Sequence, residues 1–405
     1  MPSFLKLLRE RASLGPIMSP LLIQSLTAFF CTLAAIVALA PIARKVGLVD
    51  IPTERKPHQD AVPLIGGLAI FIAFLAGTLL WGAADTSTVV IKGQSALGVL
   101  LGCSAFLVVT GMLDDRFHLG VFVRIASEIL VALTIIELLD LRLTWLGDLV
   151  GTGAIKMPPP ISYIFTVVAM FGLMNAFNML DGIDGLLASL VITTIVGFHL
   201  FTTTAPGLVS LFILASLSAF LISNLKLSPI VPKSFLGDAG SKLLGFVVVC
   251  LLLGAASGQV GGPKLIKPAT ALYLVAVPLF DMVFTTLRRI IRKGSPFAAD
   301  RSHIHHLFLD LGFSHRRALV MIVTINLAAT GLGLLLHRLD APEYYQLGIF
   351  IGMFLIYCLL ISQAWIVASK ITDNLSLEDE AYSAPKGDPD TLPSKSAVNK
   401  ITALK

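Results

Sequence analysis

The adjacent carboxylates Asp114 and Asp115 are the first residues of this chain whose types and spacing suggest chemistry. Close anions repel unless a cation or a shared proton relieves them, so the pair reads as a divalent-metal or general-base site. The bland alternative is a solvated loop start at a helix end. The segment Asn178-Met-Leu-Asp181-Gly-Ile-Asp184-Gly is more specific. Continued as helix, it sets Asn178, Asp181 and Asp184 at i, i+3 and i+6, on one side. Its glycines let a ligand approach the backbone. A plain Asp-Gly turn needs only one such unit, and an EF-hand would need a Glu at the loop's end, which is lacking.

Phe235-Leu-Gly-Asp238-Ala-Gly-Ser241 opens an apolar stretch. Asp238 or Ser241 could simply cap a helix there. A helix N-terminus also attracts phosphate, and an Asp beside it can hold a magnesium ion that bridges to phosphate oxygens. A fourth segment, Asp300-Arg-Ser-His303-Ile-His305-His306, shares its loop with Arg288, Arg289, Arg292, Lys293, Arg301, Arg316 and Arg317. Without Cys or a spaced Glu, the histidines make a poor zinc site. The arginines alone could do no more than fix topology at a lipid surface. A last segment, Asp50-Ile-Pro-Thr-Glu-Arg55-Lys56-Pro-His58, is followed by Pro63-Leu-Ile-Gly66-Gly67 and reads in isolation as a loop with a Gly-rich helix start.

The elements that must position these groups are membrane helices. Of the 405 residues, 56% are hydrophobic and only 14% charged, where soluble domains carry about 25% charged residues. Mean hydropathy is +0.86. Apolar runs of bilayer-spanning length are predicted at 20–40, 64–83, 94–112, 121–139, 159–178, 185–203, 207–224, 241–258, 267–287, 317–337 and 345–369. No alternation of the kind that marks a membrane barrel recurs. The expected fold is therefore all-α, a polytopic integral membrane protein of about eleven transmembrane helices. The link at 204–206 predicts a tight hairpin of the sixth and seventh spans. Cys31, Cys103, Cys250 and Cys358 fall inside apolar runs, with no CxxC pair, and read as small buried residues.

Segments 41–63, 113–120, 225–242, 288–317 and the tail from 370 hold 20 Lys and Arg, against 6 in the intervening loops. The positive-inside rule makes the first set cytoplasmic. Three of the four acid and histidine segments lie in that set, and alternation of the spans puts 178–185 on the same side; the carboxylates played no part in the assignment. The assignment leaves Lys6, Arg9 and Arg11 outside, against the rule; a start at Met18 would remove the conflict. Expected boundaries are an N-terminal extension 1–19, a transmembrane domain 20–370 and a disordered cytoplasmic tail 371–405, polar and rich in Ser, Pro, Asp and Lys. Carboxylates for a metal, cations for phosphates and a membrane border suit a reaction between a water-soluble phosphate donor and a lipid acceptor.

On RKPH at 55–58, PLIGG at 63–67, LDD at 113–115, NMLDGIDG at 178–185, FLGDAGS at 235–241 and DRSHIHH at 300–306, the chain resembles the polyprenyl-phosphate N-acetylhexosamine-1-phosphate transferases. This is the MraY/WecA group, glycosyltransferase family 4. DRSHIHH, VPLIGG in place of a TPTMGG-like segment, and eleven spans rather than ten resemble its WecA-like branch. The resemblance covers roughly residues 41–337. It implies transfer of N-acetylglucosamine-1-phosphate from UDP-N-acetylglucosamine to undecaprenyl phosphate, giving undecaprenyl-diphosphate-GlcNAc and UMP at a bacterial inner membrane, an early step of a surface polysaccharide. It further implies Mg2+ as cofactor, with Mn2+ able to substitute, at Asp238 and Asn178. Asp114 and Asp115 would be the catalytic acids near the lipid phosphate, and Asp181 and Asp184 would line the nucleotide-sugar site. His303, His305 and His306 would close over the donor, and Lys56, His58 and Arg124 would meet phosphates. Direct attack by the lipid phosphate and a covalent aspartyl intermediate both stay open. No nucleic-acid partner is expected, and a homodimer is the candidate assembly.

Two other readings compete. Fucosamine- or quinovosamine-type donors would use the same reaction. A transporter would place acids near the midplane with access from both faces, whereas the acids inside the spans are few, such as Glu128, Glu137 and Asp281.

Overall fold

The computed structural model describes residues 2–51, 61–81, 94–257, 265–295 and 303–383, without the side chains of 2–19, 94–95 and 369–383. Each apolar stretch predicted above contains a helix among the described residues. The helices are α1 (Pro2–Val46), α2 (Gly66–Trp81), α3 (Gln94–Phe117), α4 (Val121–Leu139), α5 (Pro159–Met179), α6 (Leu186–Thr202), α7 (Leu208–Asn224) and α8 (Gly237–Ser257). They continue with α9 (Pro268–Ala271), α10 (Ala276–Ile291), α11 (Ile304–Asp310), α12 (His315–Arg338) and α13 (Glu343–Ser383). Among the described residues seven helices are long and apolar enough to cross a membrane; α2, α6 and α7 are shorter apolar helices. The protein is a multi-pass membrane protein, and Leu79, Phe122, Ile164 and Leu359 are among its outward-facing apolar side chains.

α8 is the axis of the bundle. Its apolar window is wholly buried, and α2, α3, α5 and α6 pack around it. Phe74, Leu107, Met174, Phe177, Leu243 and Phe246 belong to this core. A second core joins α10, α11, α12 and α13 through Tyr273, Phe280, Ile304, Ile322 and Tyr357. α1 closes the other side against α2 and α7.

Three features depart from the sequence expectation. The ninth span is broken: α9 gives way to a 3-10 turn, Leu272–Val275, before α10. Pro278 lacks the N–H that would bond the carbonyl of Leu274. That carbonyl accepts instead from Thr194 Oγ1 at 2.9 Å, as a buried backbone group must be satisfied. Second, helix α5 stops at Met179 and residues 180–185 form a turn, so Asn178, Asp181 and Asp184 do not share a helical face. Gly185 takes φ 78° there, which favours glycine. Third, α13 runs on to Ser383, past the expected tail boundary at 370, and Pro385 is the first proline beyond it; residues 384–405 lie outside the described residues. α1 is helical from Pro2, across the expected extension 1–19.

Two small antiparallel ribbons lie in loops. β1 (Val49–Asp50) pairs with β2 (Val62–Pro63), and β3 (Trp145–Gly147) with β4 (Ile155–Lys156).

Candidate active site

The PLIGG and FLGDAGS segments are stitched together by their backbones. Phe235 N–H donates to Pro63 O at 2.9 Å, Gly66 N–H to Phe235 O at 2.8 Å and Gly67 N–H to Leu236 O at 3.2 Å. A Cβ on Gly67 would collide with the backbone of Gly240. Glycine is therefore required for α2 to approach the first turn of α8.

That first turn carries Asp238, and α3 supplies its cap. Asp115 Oδ1 accepts from Asp238 N–H at 2.9 Å, and Oδ2 accepts from Ala239 N–H at 3.4 Å. An α-helix leaves its first N–H groups unsatisfied, and here a carboxylate 123 residues away in sequence fills them, which also complements the helix dipole. Of the adjacent pair, Asp115 is the one committed to structure.

Asp114 points into a buried cluster. Its Oδ2 lies 3.5 Å from Lys242 Nζ and 3.6 Å from Arg124 Nη1. Asp238 Oδ2 lies near the same ammonium, so the two carboxylates share a cation that relieves their repulsion. Asn178, one residue from the end of α5, donates through Nδ2 to Asp238 Oδ1 at 3.1 Å and to Ser241 Oγ at 2.7 Å. Lys242 Nζ is also 3.8 Å from Glu128 Oε1 and 3.9 Å from Asp238 Oδ2. Glu128 accepts from Asn175 Nδ2 at 2.5 Å. Lys242, at 3% exposure, is the hub of this network.

Lys242, Glu128 and Asn175 were not among the sequence candidates. Each lies one helical turn from one that was: four residues after Asp238, four after Arg124 and three before Asn178. On an apolar helix that spacing was the available signal.

The donor set is hard: carboxylates, an amide and a hydroxyl, which suits Mg2+. Among the described residues no three His, Cys, Asp or Glu side chains form a ready-made metal cage. A magnesium ion takes one or two carboxylates and completes its shell with water and substrate phosphate, so the Asp238–Asp114–Asn178 grouping fits.

A second grouping sits across the 180–185 turn. Asp184 Oδ2 pairs with Lys233 Nζ at 2.7 Å, and that ammonium lies 5.1 Å from the Phe235 ring centroid. Asn224 holds the turn: its Oδ1 accepts from Gly185 N–H at 2.5 Å and its Nδ2 donates to Ser234 O at 3.0 Å. Asp181 is exposed on the turn. Gly182 carries the histidine segment, because a Cβ there would run into the His305 ring. His303 and His305 stack with centroids 5.9 Å apart, and His305 and His306 are 4.2 Å apart. His305 is 2% exposed. Burial, with its histidine neighbours, holds its pKa well below the usual imidazole range. Its Nδ1 has no partner among the described residues.

The structure thus brings Asp114, Asp115, Asn178, Asp238 and Arg124 into one cluster, and Asp181, Asp184, His303, His305 and His306 around the adjoining turn. Lys56 and His58 lie outside the described residues, as does Asp300.

The family described as glycosyl transferase family 4 matches residues 97–256. The undecaprenyl-phosphate alpha-N-acetylglucosaminyl 1-phosphate transferase of Yersinia pestis is 34% identical over 345 residues, 84% of this chain and 91% of that protein. The protein of the same name from Escherichia coli O157:H7 is 36% identical over 334 residues, 81% of this chain and 87% of that protein. That of Salmonella typhi is 34% identical over 350 residues, covering 85% and 92%.

Proposed function

The chain belongs to glycosyl transferase family 4, and from that premise we propose that it transfers N-acetylglucosamine-1-phosphate from UDP-N-acetylglucosamine to undecaprenyl phosphate. The products are undecaprenyl-diphosphate-GlcNAc and UMP. The observation that carries this reading is the meeting of Asp114 and Asp238 with Asn178, Lys242 and Arg124 where α3, α4, α5 and α8 converge. Paired acids with adjacent cations at a membrane border are what a lipid phosphate and a diphosphate together require.

An oxygen of the lipid phosphate attacks the donor β-phosphorus, the bond from that phosphorus to the bridging oxygen breaks, and the electron pair leaves on UMP. A phosphate monoester has its second pKa near 6, so at neutral pH the nucleophile is mostly dianionic. It needs orientation more than a base. Arg124 and Lys242 attract it, and Asp114 sets its approach. Asp115 acts indirectly by fixing the first turn of α8. Asp238 and Asn178 would hold Mg2+, or Mn2+ in its place, which when bound neutralises the diphosphate. Asp181, Asp184, His303, His305 and His306 line the donor side, with Lys56 and His58 as further phosphate contacts. One diphosphate bond replaces another, so rate acceleration comes from positioning and charge neutralisation.

The transferase domain spans 20–370 and sits in a bacterial cytoplasmic membrane. The excess of Lys and Arg in the loops beside the acids supports a site facing the cytoplasm. Purified protein with undecaprenyl phosphate, Mg2+ and a panel of UDP-sugars should release UMP fastest from UDP-N-acetylglucosamine. Preference for a fucosamine- or quinovosamine-type donor would correct the sugar alone, and no UMP from any donor would overturn the reaction.

A further inference from the structure

Asp281 lies in α10, 1% exposed, on the buried face that also carries Phe280, Phe284, Thr285 and Arg289. An acid there is costly and calls for partners. It has three, two from the histidine segment at the start of α11 and one from α13. His303 Nδ1 donates to Oδ2 at 2.7 Å, Ile304 N–H donates to Oδ1 at 2.8 Å, and the Tyr357 hydroxyl of α13 donates to Oδ1 at 3.1 Å. On the far side of the imidazole, Arg289 Nη2 is 3.4 Å from His303 Nε2. A guanidinium only donates. Nε2 must then accept and Nδ1 must carry the proton, so the acid and the arginine together select one tautomer and one ring plane.

We propose that Asp281, assisted by Tyr357, is the positioning residue of the histidine segment: it fixes His303 as the Nδ1–H tautomer and so sets His305 against the Gly182 turn on the donor side. This rests on the donor-side reading given under Proposed function. The chain of contact is continuous. Asp281 holds the ring of His303 and the amide of Ile304, His303 stacks on His305 with planes 2° apart, and the His305 ring lies against Gly182 beside Asp181 and Asp184. An acid that orients an imidazole from behind is a recurrent device, and behind metal-bound imidazoles loss of such a partner costs about 10- to 100-fold in metal affinity or activity. Asp281 touches no substrate in this scheme, and Tyr357 makes the last membrane helix part of the site's support.

The test begins with the unaltered protein, labelled with 15N at histidine and assigned by a His303→Gln comparison. The His303 signals should report a proton on Nδ1 and a bare Nε2; a proton on Nε2 overturns the proposal without any Asp281 variant having to fold. Asp281→Asn, which offers the ring a donor where it needs an acceptor, should shift the signal to the other tautomer. Its KM for UDP-N-acetylglucosamine should rise by about 10- to 100-fold, while KM for undecaprenyl phosphate stays put. Tyr357→Phe keeps the carboxylate and should move donor KM in the same direction by less. Unchanged donor KM in Asp281→Asn, or equal loss toward both substrates with the tautomer retained, overturns the proposal. Failure of the underlying reaction looks different: wild-type protein would release no UMP while still showing Nδ1-protonated His303.

Discussion

The acid cluster and the histidine segment adjoin the same turn but are built in opposite ways. The acids stand on long helices of the central core. Asp114 and Asp115 stand in the last turn of α3, Asp238 opens α8, and these helices approach so closely that a Cβ on Gly111 would meet the backbone of Ala239. The histidines stand on α11, a helix of seven residues hung from the second core by Asp281 and by Ile304 and Leu307. The cluster is held by charge, with one buried ammonium shared among Asp114, Glu128 and Asp238. The segment is held by hydrogen bonds and ring stacking. On the function proposed above, the difference teaches a division of labour: the acids that would hold phosphate charge stand on the central core, and the histidines that would close on the sugar nucleotide stand on a short helix at its side.

The largest effect should come from cutting the shared charge. Lys242→Met leaves Glu128 buried without its ammonium and Asp114 with Arg124 alone, and stranding a buried ion costs about 3–5 kcal/mol. A large drop in apparent Tm in detergent is expected. Glu128→Gln added to Lys242→Met should recover part of it, because the stranded charge goes with the carboxylate. A single variant as stable as wild type would show that the network is not held by Lys242. Next comes Asp238→Asn, which keeps the shape and the α8 cap but loses the charge facing Asp114. UMP release should fall by about 10²–10³-fold, the range for losing one preorganised electrostatic group, with the protein still inserted and monodisperse. Near-normal turnover would reduce Asp238 to a helix-start residue.

The two regions were unequally legible in the sequence. Lipid forces backbone groups to pair within a helix, so apolar run length located the long helices but not the short α11, and 121–139 coincides with α4. The acid motifs were legible because each sits at or near a helix end, two of them beside glycine. Their division of roles was not: LDD offers two equivalent acids, and only the approach of α3 to α8 makes Asp115 a cap and leaves Asp114 in the cluster. The spacing of Asn178, Asp181 and Asp184 suggested one helical face, yet Gly182 and Gly185 let α5 stop at Met179 and turn Asp184 toward Lys233. Asp281 had no motif around it. A lone acid in a span becomes interpretable once His303 and Tyr357, 22 and 76 residues away in sequence, are seen on its oxygens.

A pair of glycine replacements separates rigid from yielding contact. In Gly67→Ala the new methyl meets Gly240 backbone, which has nowhere to go without displacing α8. Overpacking of this kind costs about 1–3 kcal/mol, so both Tm and turnover should fall. In Gly182→Ala the methyl meets the His305 ring, which can tilt about its side-chain bonds. Tm should then change little while donor KM rises. Equal losses of Tm in the two variants would erase the distinction between the regions.

The smallest effect is one of pH, confined to the histidine segment. His305 has its pKa held well below the usual imidazole value by burial, with His306 and His303 adding repulsion. The opened segment would regain an ordinary value of about 6.5. Between the two values the open form binds more protons than the closed one, so closure is favoured as pH rises. Closure is weakened as pH falls below about 6.5, by a slope approaching about 1.4 kcal/mol per pH unit. Hydrogen exchange of α11 amides should therefore speed up between neutral pH and pH 5, after correction for intrinsic rates, while amides in the first turns of α8 keep their protection. His305→Phe should flatten that dependence. A slope that persists in His305→Phe, or appears equally in α8, would show that the segment does not open on its own.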